Sequence, residues 1–192
     1  MLGRTRTVVL TVTVLSLVTL VHLPIVAQTS SAQFSISGTS TVRGWTCQAE
    51  GTMESTLANS NEPIPGFPSG VETVAIKVMV RAIDCPEEQM TEHLREAMDV
   101  EEYPDIVYHL EHYTFKTDDT AEATGTMTIH GVTNPITFNV RVVQSPEGVH
   151  GVGETSVNMT EYGVSPPSVW LGMLNVGELV EIQFDALLPT SD

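Results

Sequence analysis

Lysine is nearly absent from this sequence, since Lys77 and Lys116 are the only two. Eight Lys and Arg residues stand against 24 Asp and Glu, which gives a formal net charge of −16. Nucleic acid is excluded as a partner because phosphate binding needs a positive field. Strong acidity with so little lysine is typical of proteins from a high-salt habitat, where salt screens the repulsion between the negative charges on the protein. An ordinary acidic secreted protein is the alternative.

Long apolar runs are lacking everywhere except at the N-terminus. Arg4 and Arg6 precede an apolar, threonine-interrupted stretch over residues 8–23, and small residues follow it up to Ala27. This pattern predicts a signal peptide over residues 1–27, with cleavage between Ala27 and Ala32. Its removal would leave six basic residues against 24 acidic ones, a net charge of −18. The mature protein is then expected in the periplasm or secreted, without stable membrane insertion; an uncleaved anchor is the alternative.

Cysteine is also scarce, because Cys47 and Cys85 are the only two. An even number in an exported chain predicts a disulfide between them. The bridge would close a loop of about 39 residues and contribute roughly 3–4 kcal/mol to stability. Two unpaired core thiols are the alternative. The spacing between Cys47 and Cys85 does not match the closely spaced cysteines of a zinc-binding or redox motif.

Alternating apolar and polar residues dominate the rest of the chain, as at Ile136, Phe138 and Val140. This period of two predicts eight or nine antiparallel strands, among them 34–38, 39–47 and 48–57. One short helix is predicted over Pro86–Met98, with an apolar stripe that includes Met90 and Leu94. The pattern indicates an all-β, antiparallel barrel with one short helix. Such a barrel either fills with side chains or holds one small ligand, and periodicity leaves both open.

Apolar residues also stand in two predicted loops. Residues 59–70 are rich in proline and glycine, yet they include Ile64 and Phe67, which suggests that these side chains cover something. Residues 162–177 place several large apolar side chains, Trp170 among them, beside two prolines. Apolar loops on an acidic protein usually cover a core or a ligand mouth.

Two blocks of the chain carry a resemblance to a known family. The matching positions are His93-Leu94-Arg95, Asp99, Glu101, Tyr103-Pro104, Ile106, Gly125, Met127, His130-Gly131-Val132-Thr133 and Pro135, with a closing motif at Gly163, Pro166, Pro167, Gly172, Gly177 and Glu178. The sequence resembles the YceI-like family of lipid- or polyisoprenoid-binding barrels. The resemblance implies an eight-stranded lipocalin-like β-barrel over residues 33–188, with the helix as a plug or lid and an elongated apolar cavity inside.

The ligand that the resemblance implies is a long-chain isoprenoid or similar lipid, and a quinone would also fit. The expected lining residues are Ile76, Val78, Tyr108, Leu110, Met127, Ile129, Phe138, Val140, Ile182 and Phe184, with Trp45 and Trp170 near the mouth. The alternative function is a secreted stress-response or interaction module whose barrel is filled. The oligomeric state stays open, a homodimer being one option.

Catalytic and metal-binding signals are weak. His109 and His112 form an H-x-x-H pattern, but residues three apart on a strand are expected to point to opposite faces and so cannot share an ion. The sequence has no G-x-S-x-G motif and no glycine-rich phosphate loop. We therefore expect a binding protein rather than an enzyme, with no metal site and no cofactor other than the bound lipid or quinone.

Overall fold

Eight long antiparallel strands close into a barrel in the computed structural model, which describes residues 27–58, 61–67, 70–169 and 174–189. The strands are β1 (Ala27–Ser40), β2 (Gly44–Ala58), β3 (Gly70–Met79), β4 (Asp105–Phe115), β5 (Thr120–Ile129), β6 (Val132–Ser145), β7 (Gly148–Asn158), β8 (Ser168–Val169) and β9 (Leu174–Pro189). The two-residue β8 pairs only with the beginning of β9. The all-β, lipocalin-like fold expected from the sequence is confirmed.

Sequence neighbours pair around the barrel from β1 to β7, and β9 then pairs with both β7 and β1. The closing ladder aligns Ile36 with Ile182 and Phe34 with Phe184. Because the barrel is closed, each of these eight strands has a hydrogen-bonded neighbour on both sides over part of its length. The fully unpaired edge strand at which sheets usually aggregate is therefore missing among them. Because side chains alternate across each strand, closure also collects every second residue into one interior.

The first hairpin differs from the expected strand division. Residues 44–58 form one continuous strand paired with β1, so the separate strands expected over 39–47 and 48–57 are wrong. The turn is fixed at its tip by Ser40, whose Oγ accepts hydrogen bonds from the Arg43 and Val42 amides at 3.1 and 3.3 Å. Neither residue 47 nor residue 48 is of a type that favours a turn, and the hydrogen-bonded pairing of β2 with β1 continues through both.

The helix α1 (Glu88–Ala97) lies beside one end of the barrel, close to the predicted bounds. Its Met90 and Leu94 pack on buried wall residues, which confirms the predicted apolar stripe. The predicted disulfide is also confirmed, since Cys47 and Cys85 are bonded with their Cα atoms 4.2 Å apart. Backbone bonds between Gln48 and Asp84 lie next to it, both 2.8 Å long. The segment that leads into α1 is therefore fastened to β2.

The opposite end of the barrel is covered by residues 61–67. Phe67 is buried there, and Ile64 packs beside it on the same cluster. Tyr113 holds the segment in place, because its hydroxyl donates to the Glu62 carbonyl and accepts from the Val71 amide at 3.1 Å. The expectation that these apolar loop residues cover something is confirmed.

A β-bulge in β4 corrects the argument about the two histidines. Leu110 pairs with Gly125 but His112 pairs with Thr124, so Glu111 is an extra residue. His109 pairs with Thr126, which lies on the same face of β5 as Thr124. Both histidines therefore project from one outer, exposed face, and the expectation of opposite faces is wrong.

Among the described residues, no helix has the length and apolarity that crossing a membrane requires.

Surface charge on the barrel gives a salt prediction. Arg43, Lys77, Arg81 and Lys116 each contact a carboxylate, yet the acidic residues of the sequence outnumber the basic ones threefold. Self-repulsion should therefore weaken the fold at low ionic strength. We expect the melting temperature to rise with potassium chloride, most steeply below about 1 M, where the Debye length falls to about 3 Å. Sodium chloride should give the same curve, and a flat profile in both salts would contradict the prediction.

Candidate ligand cavity

The interior of the barrel is not completely filled by side chains. An inner chamber of about 210 Å³ runs between the strands, and every side chain that borders it is uncharged. All ten of the residues expected from the sequence to line the cavity border this chamber: Ile76, Val78, Tyr108, Leu110, Met127, Ile129, Phe138, Val140, Ile182 and Phe184. Whether these side chains contact a ligand remains a prediction.

Aromatic rings form one part of the inner wall. The Phe138 ring lies 5.3 Å, between centroids, from both the Tyr108 ring and the Phe184 ring. Tilted and edge-on contacts at such distances stabilise aromatic pairs. Strand alternation brings the three rings together, since Tyr108, Phe138 and Phe184 all take inward positions on separate strands.

Sequence reasoning missed part of the inner wall. Phe34 and Ile36 on β1 were assigned to a strand but not to the lining, although their alternation was visible. Tyr113 and Phe115 line the chamber because the β4 bulge changes which of the following residues face inward. No feature of the sequence indicated the position of that bulge. Ile64 reaches the chamber from the covering segment 61–67.

A larger outer chamber, of about 450 Å³, lies between the barrel mouth and α1. Met90, Leu94 and Ala97 of the helix form one side, and Trp45 of β2 contributes to the other. Trp45, which the sequence analysis expected near the mouth, thus lies at the helix end of the barrel. The other tryptophan assigned to the mouth, Trp170, lies outside the described residues.

The two chambers meet at four isoleucines that line both of them: Ile36, Ile106, Ile129 and Ile182. The chambers therefore form adjoining parts of one interior rather than separate sites. Single-ligand sites in proteins typically occupy about 300–1,000 Å³, and the two chambers together fall in that range. An elongated molecule that filled both would have to pass these isoleucines.

Polar groups are few around the inner chamber. The Tyr108 hydroxyl is buried and has no hydrogen-bond partner within the described part of the chain. Burial also raises the pKa of Tyr108 well above its ordinary value, so the phenol remains neutral. Burial is the main cause of a raised pKa at Tyr113 as well, and its hydroxyl is already engaged by the covering segment. The chamber thus presents no charge to a ligand.

Metal ligation receives no support from the described ranges, where no group of three or more His, Cys, Asp or Glu side chains is placed to hold an ion. The His112 Nε2 atom lies 2.9 Å from the Thr114 hydroxyl instead. The expected lack of a metal site stays a prediction.

Fold and cavity together define a closed lipocalin-like barrel with an apolar interior and a helix across one end. The model of the YceI-like domain matches residues 23–188, and the chain belongs to that family.

Solved structures share this fold at low sequence identity. A polyisoprenoid-binding domain from Saccharophagus degradans, implicated in plant cell wall breakdown, superposes with a TM-score of 0.65 at 9% identity, over 88% of this chain and all of that one. BcnA of Burkholderia cenocepacia gives 0.62 at 16% identity, over 82% and 96% of the two chains. The Campylobacter jejuni YceI protein gives 0.58 at 11% identity, over 73% and 82%.

Curated relatives match over a shorter stretch. UPF0312 proteins of two Pseudomonas putida strains, F1 and KT2440, are each 31% identical over 90 residues, which is 44% of this chain and 47% of theirs. The chain thus spans about half the length of the curated relatives that it matches.

Proposed function

We propose that this protein is an exported, non-enzymatic carrier that holds a long-chain isoprenoid, or a similar long-chain lipid such as an isoprenoid quinone, inside its barrel. The observation that carries the proposal is the uncharged inner chamber, which adjoins a wider chamber at the barrel mouth. Membership of the YceI-like family and the likeness to a polyisoprenoid-binding domain support it.

The energetics of the interior favour such a ligand. A long isoprenoid tail is almost wholly apolar, so burying its surface would supply roughly 25 cal/mol per Å² before ordering costs are subtracted. An uncharged wall offers few interactions other than apolar contact by which it could distinguish one tail from another. Selectivity along the tail should therefore be loose, at about 1–3 kcal/mol for each methylene-sized change.

Lipid extraction tests the proposal directly. The protein is expressed with its own N-terminus in a bacterium, purified without detergent, and extracted for mass spectrometry. We expect one long-chain lipid per barrel, far above the amount found with a filled β-barrel protein purified in the same way. Absence of lipid, together with failure to take up added isoprenoids, would overturn the carrier proposal and favour a filled scaffold with an interaction role.

Export is tested on the same preparation. We expect the mature protein in the periplasm or medium, beginning between residues 28 and 33, with only six basic residues left. Cell fractionation and N-terminal sequencing check this. A cytoplasmic protein that retained Arg4 and Arg6 would contradict it.

A further inference from the structure

Polar side chains are distributed unequally along the interior. The inner chamber has no charged residue in its wall, whereas Ser40, Arg43, Glu87, Gln89 and His93 all border the outer chamber. These five come from the tip of the first hairpin and from α1 with its N-cap residue. Apart from the hydroxyls of Tyr108, Tyr113 and Thr155, the polar side chains that border the described interior therefore lie near the helix.

Within the described residues, apolar side chains cover the far end of the barrel. Segment 61–67 covers it with Ile64 and Phe67, and three hydrogen bonds fasten that cover. The first is the Tyr113 bond to the Glu62 carbonyl; the Phe115 amide also donates to Glu62 Oε2 at 3.2 Å, and Asn61 Nδ2 donates to the Val71 carbonyl at 2.6 Å. This arrangement favours an apolar tail that points toward this end, with the polar end of the ligand at α1.

The charge at the outer chamber is already balanced. Arg43 is the only Lys or Arg among the described residues that border it, and its guanidinium contacts the Glu87 carboxylate. Glu87 also stands at the N-cap of α1, where the helix dipole would otherwise attract an anion. The Glu87 carboxylate thus pairs with Arg43 and, without a cap hydrogen bond of its own, places a negative charge beside the helix N-terminus.

The remaining polar groups suit a neutral partner. The His93 side chain is half-buried, and within the described part of the chain its ring has no hydrogen-bond partner. A neutral imidazole offers one donor and one acceptor. Gln89 adds an amide that can donate and accept. Alcohols and quinone carbonyls match these groups, whereas a phosphate would also meet the Glu87 carboxylate.

We propose that the outer chamber is a head-group site that selects neutral, hydrogen-bonding head groups such as an alcohol or a quinone, and that Glu87 excludes diphosphates. This inference rests on the proposed function, because it assumes that an isoprenoid tail occupies the inner chamber. Glu87 is here a specificity-determining residue, and His93 is the main hydrogen-bonding partner of the head group.

Three ligands with the same twenty-carbon tail test the site at pH 8: geranylgeraniol, geranylgeranyl diphosphate and a quinone with a geranylgeranyl chain. Binding is measured by quenching of tryptophan fluorescence on delipidated protein. We expect the alcohol and the quinone to bind at least about tenfold more tightly than the diphosphate, since like charges brought together oppose binding. Tighter binding of the diphosphate would overturn the proposal.

Glu87→Gln tests the residue that is proposed to exclude anions. The substitution frees Arg43 and removes the negative charge beside the N-terminus of α1, so the affinity for the diphosphate should rise about tenfold or more while that for the alcohol changes little. Glu88→Gln is the matched control, because it removes the same charge from the next residue, which does not border the chamber. If both variants raise diphosphate binding equally, general charge rather than Glu87 sets the selectivity, and the proposed role of Glu87 is wrong.

His93→Ala tests the hydrogen-bonding partner. The alcohol and quinone should each lose roughly 2- to 10-fold in affinity, the range expected for one hydrogen bond. A headless hydrocarbon of the same tail length should lose clearly less. Equal losses for all three would show that His93 only packs against the ligand.

These outcomes separate the two proposals. If none of the three ligands binds the delipidated wild type, the carrier function itself fails. If all three bind with the same affinity, the carrier function stands and the head-group site is wrong.

Discussion

Phe184→Asp should abolish lipid co-purification, with at least about a 100-fold loss of affinity for added isoprenoid. Phe184 lines the inner chamber, and its ring lies against Phe138. An aspartate at this position would place a carboxylate in a wall that has no charged partner. Covering that carboxylate with hydrocarbon costs several kcal/mol, because its water is removed and nothing replaces it. Lipid extraction followed by mass spectrometry measures the loss.

Asn139→Asp is the matched control for this change. Asn139 follows Phe138 on β6 but faces the solvent, so the variant adds one negative charge without altering the interior. It should keep its lipid. Circular dichroism and a thermal melt show whether Phe184→Asp remains folded, and lipid retained by a folded Phe184→Asp variant would show that this wall does not hold the ligand.

Val140→Phe gives a second test that introduces no charge. Val140 borders the same chamber, so a larger side chain at this position would extend into the cavity. The larger ring should occupy ligand space, so lipid content should fall while the melting temperature stays level or rises, as cavity-filling changes often do. Full lipid content in a stable variant would contradict the assigned cavity.

The inward face of the barrel was predictable wherever strands are regular. On β6, Ile136, Phe138 and Val140 alternate with polar residues, and each takes the interior position that its period of two predicts. The bulge at Glu111 was not predictable, because the extra residue reverses which later side chains face inward and has no distinctive sequence of its own. That single residue reversed the argument about His109 and His112.

The cavity itself could not be derived from alternation. Periodicity shows which side chains face inward, but it does not show whether they fill the space between them. The polar end of the interior was also missed. Arg43 and Glu87 are 44 residues apart in the sequence, and only the folded hairpin and helix bring them into contact.

Cysteine pairing was predictable from the even number of cysteines together with the predicted export, and the structure shows which parts the bridge joins. Cys47 lies in β2 and is fully buried, while Cys85 precedes the helix whose side chains line the outer chamber. Thr91 reinforces the junction, since its Oγ1 accepts from the Cys85 amide at 3.1 Å. The bridge therefore joins the barrel wall to the helix at the mouth.

Replacing both cysteines with alanine should lower the free energy of unfolding by about 3–4 kcal/mol, because the bridge closes a loop between residues 38 apart. For a domain of this size, the melting temperature should fall by roughly 10 °C. Wild-type protein melted in excess reductant should show a similar fall, which separates loss of the bridge from any change in packing.

Hydrogen exchange then distinguishes a local effect from a global one. At a temperature where the double alanine variant is folded, amides in α1 should exchange faster than in the wild type, while those in the β5–β6 ladder on the other side of the barrel should change less. The outer chamber should accordingly release its ligand faster, since one of its walls is less firmly held. Unchanged exchange in α1, with an unchanged melting temperature, would show that the hydrogen bonds of Thr91 and Gln48 hold the helix without the bridge.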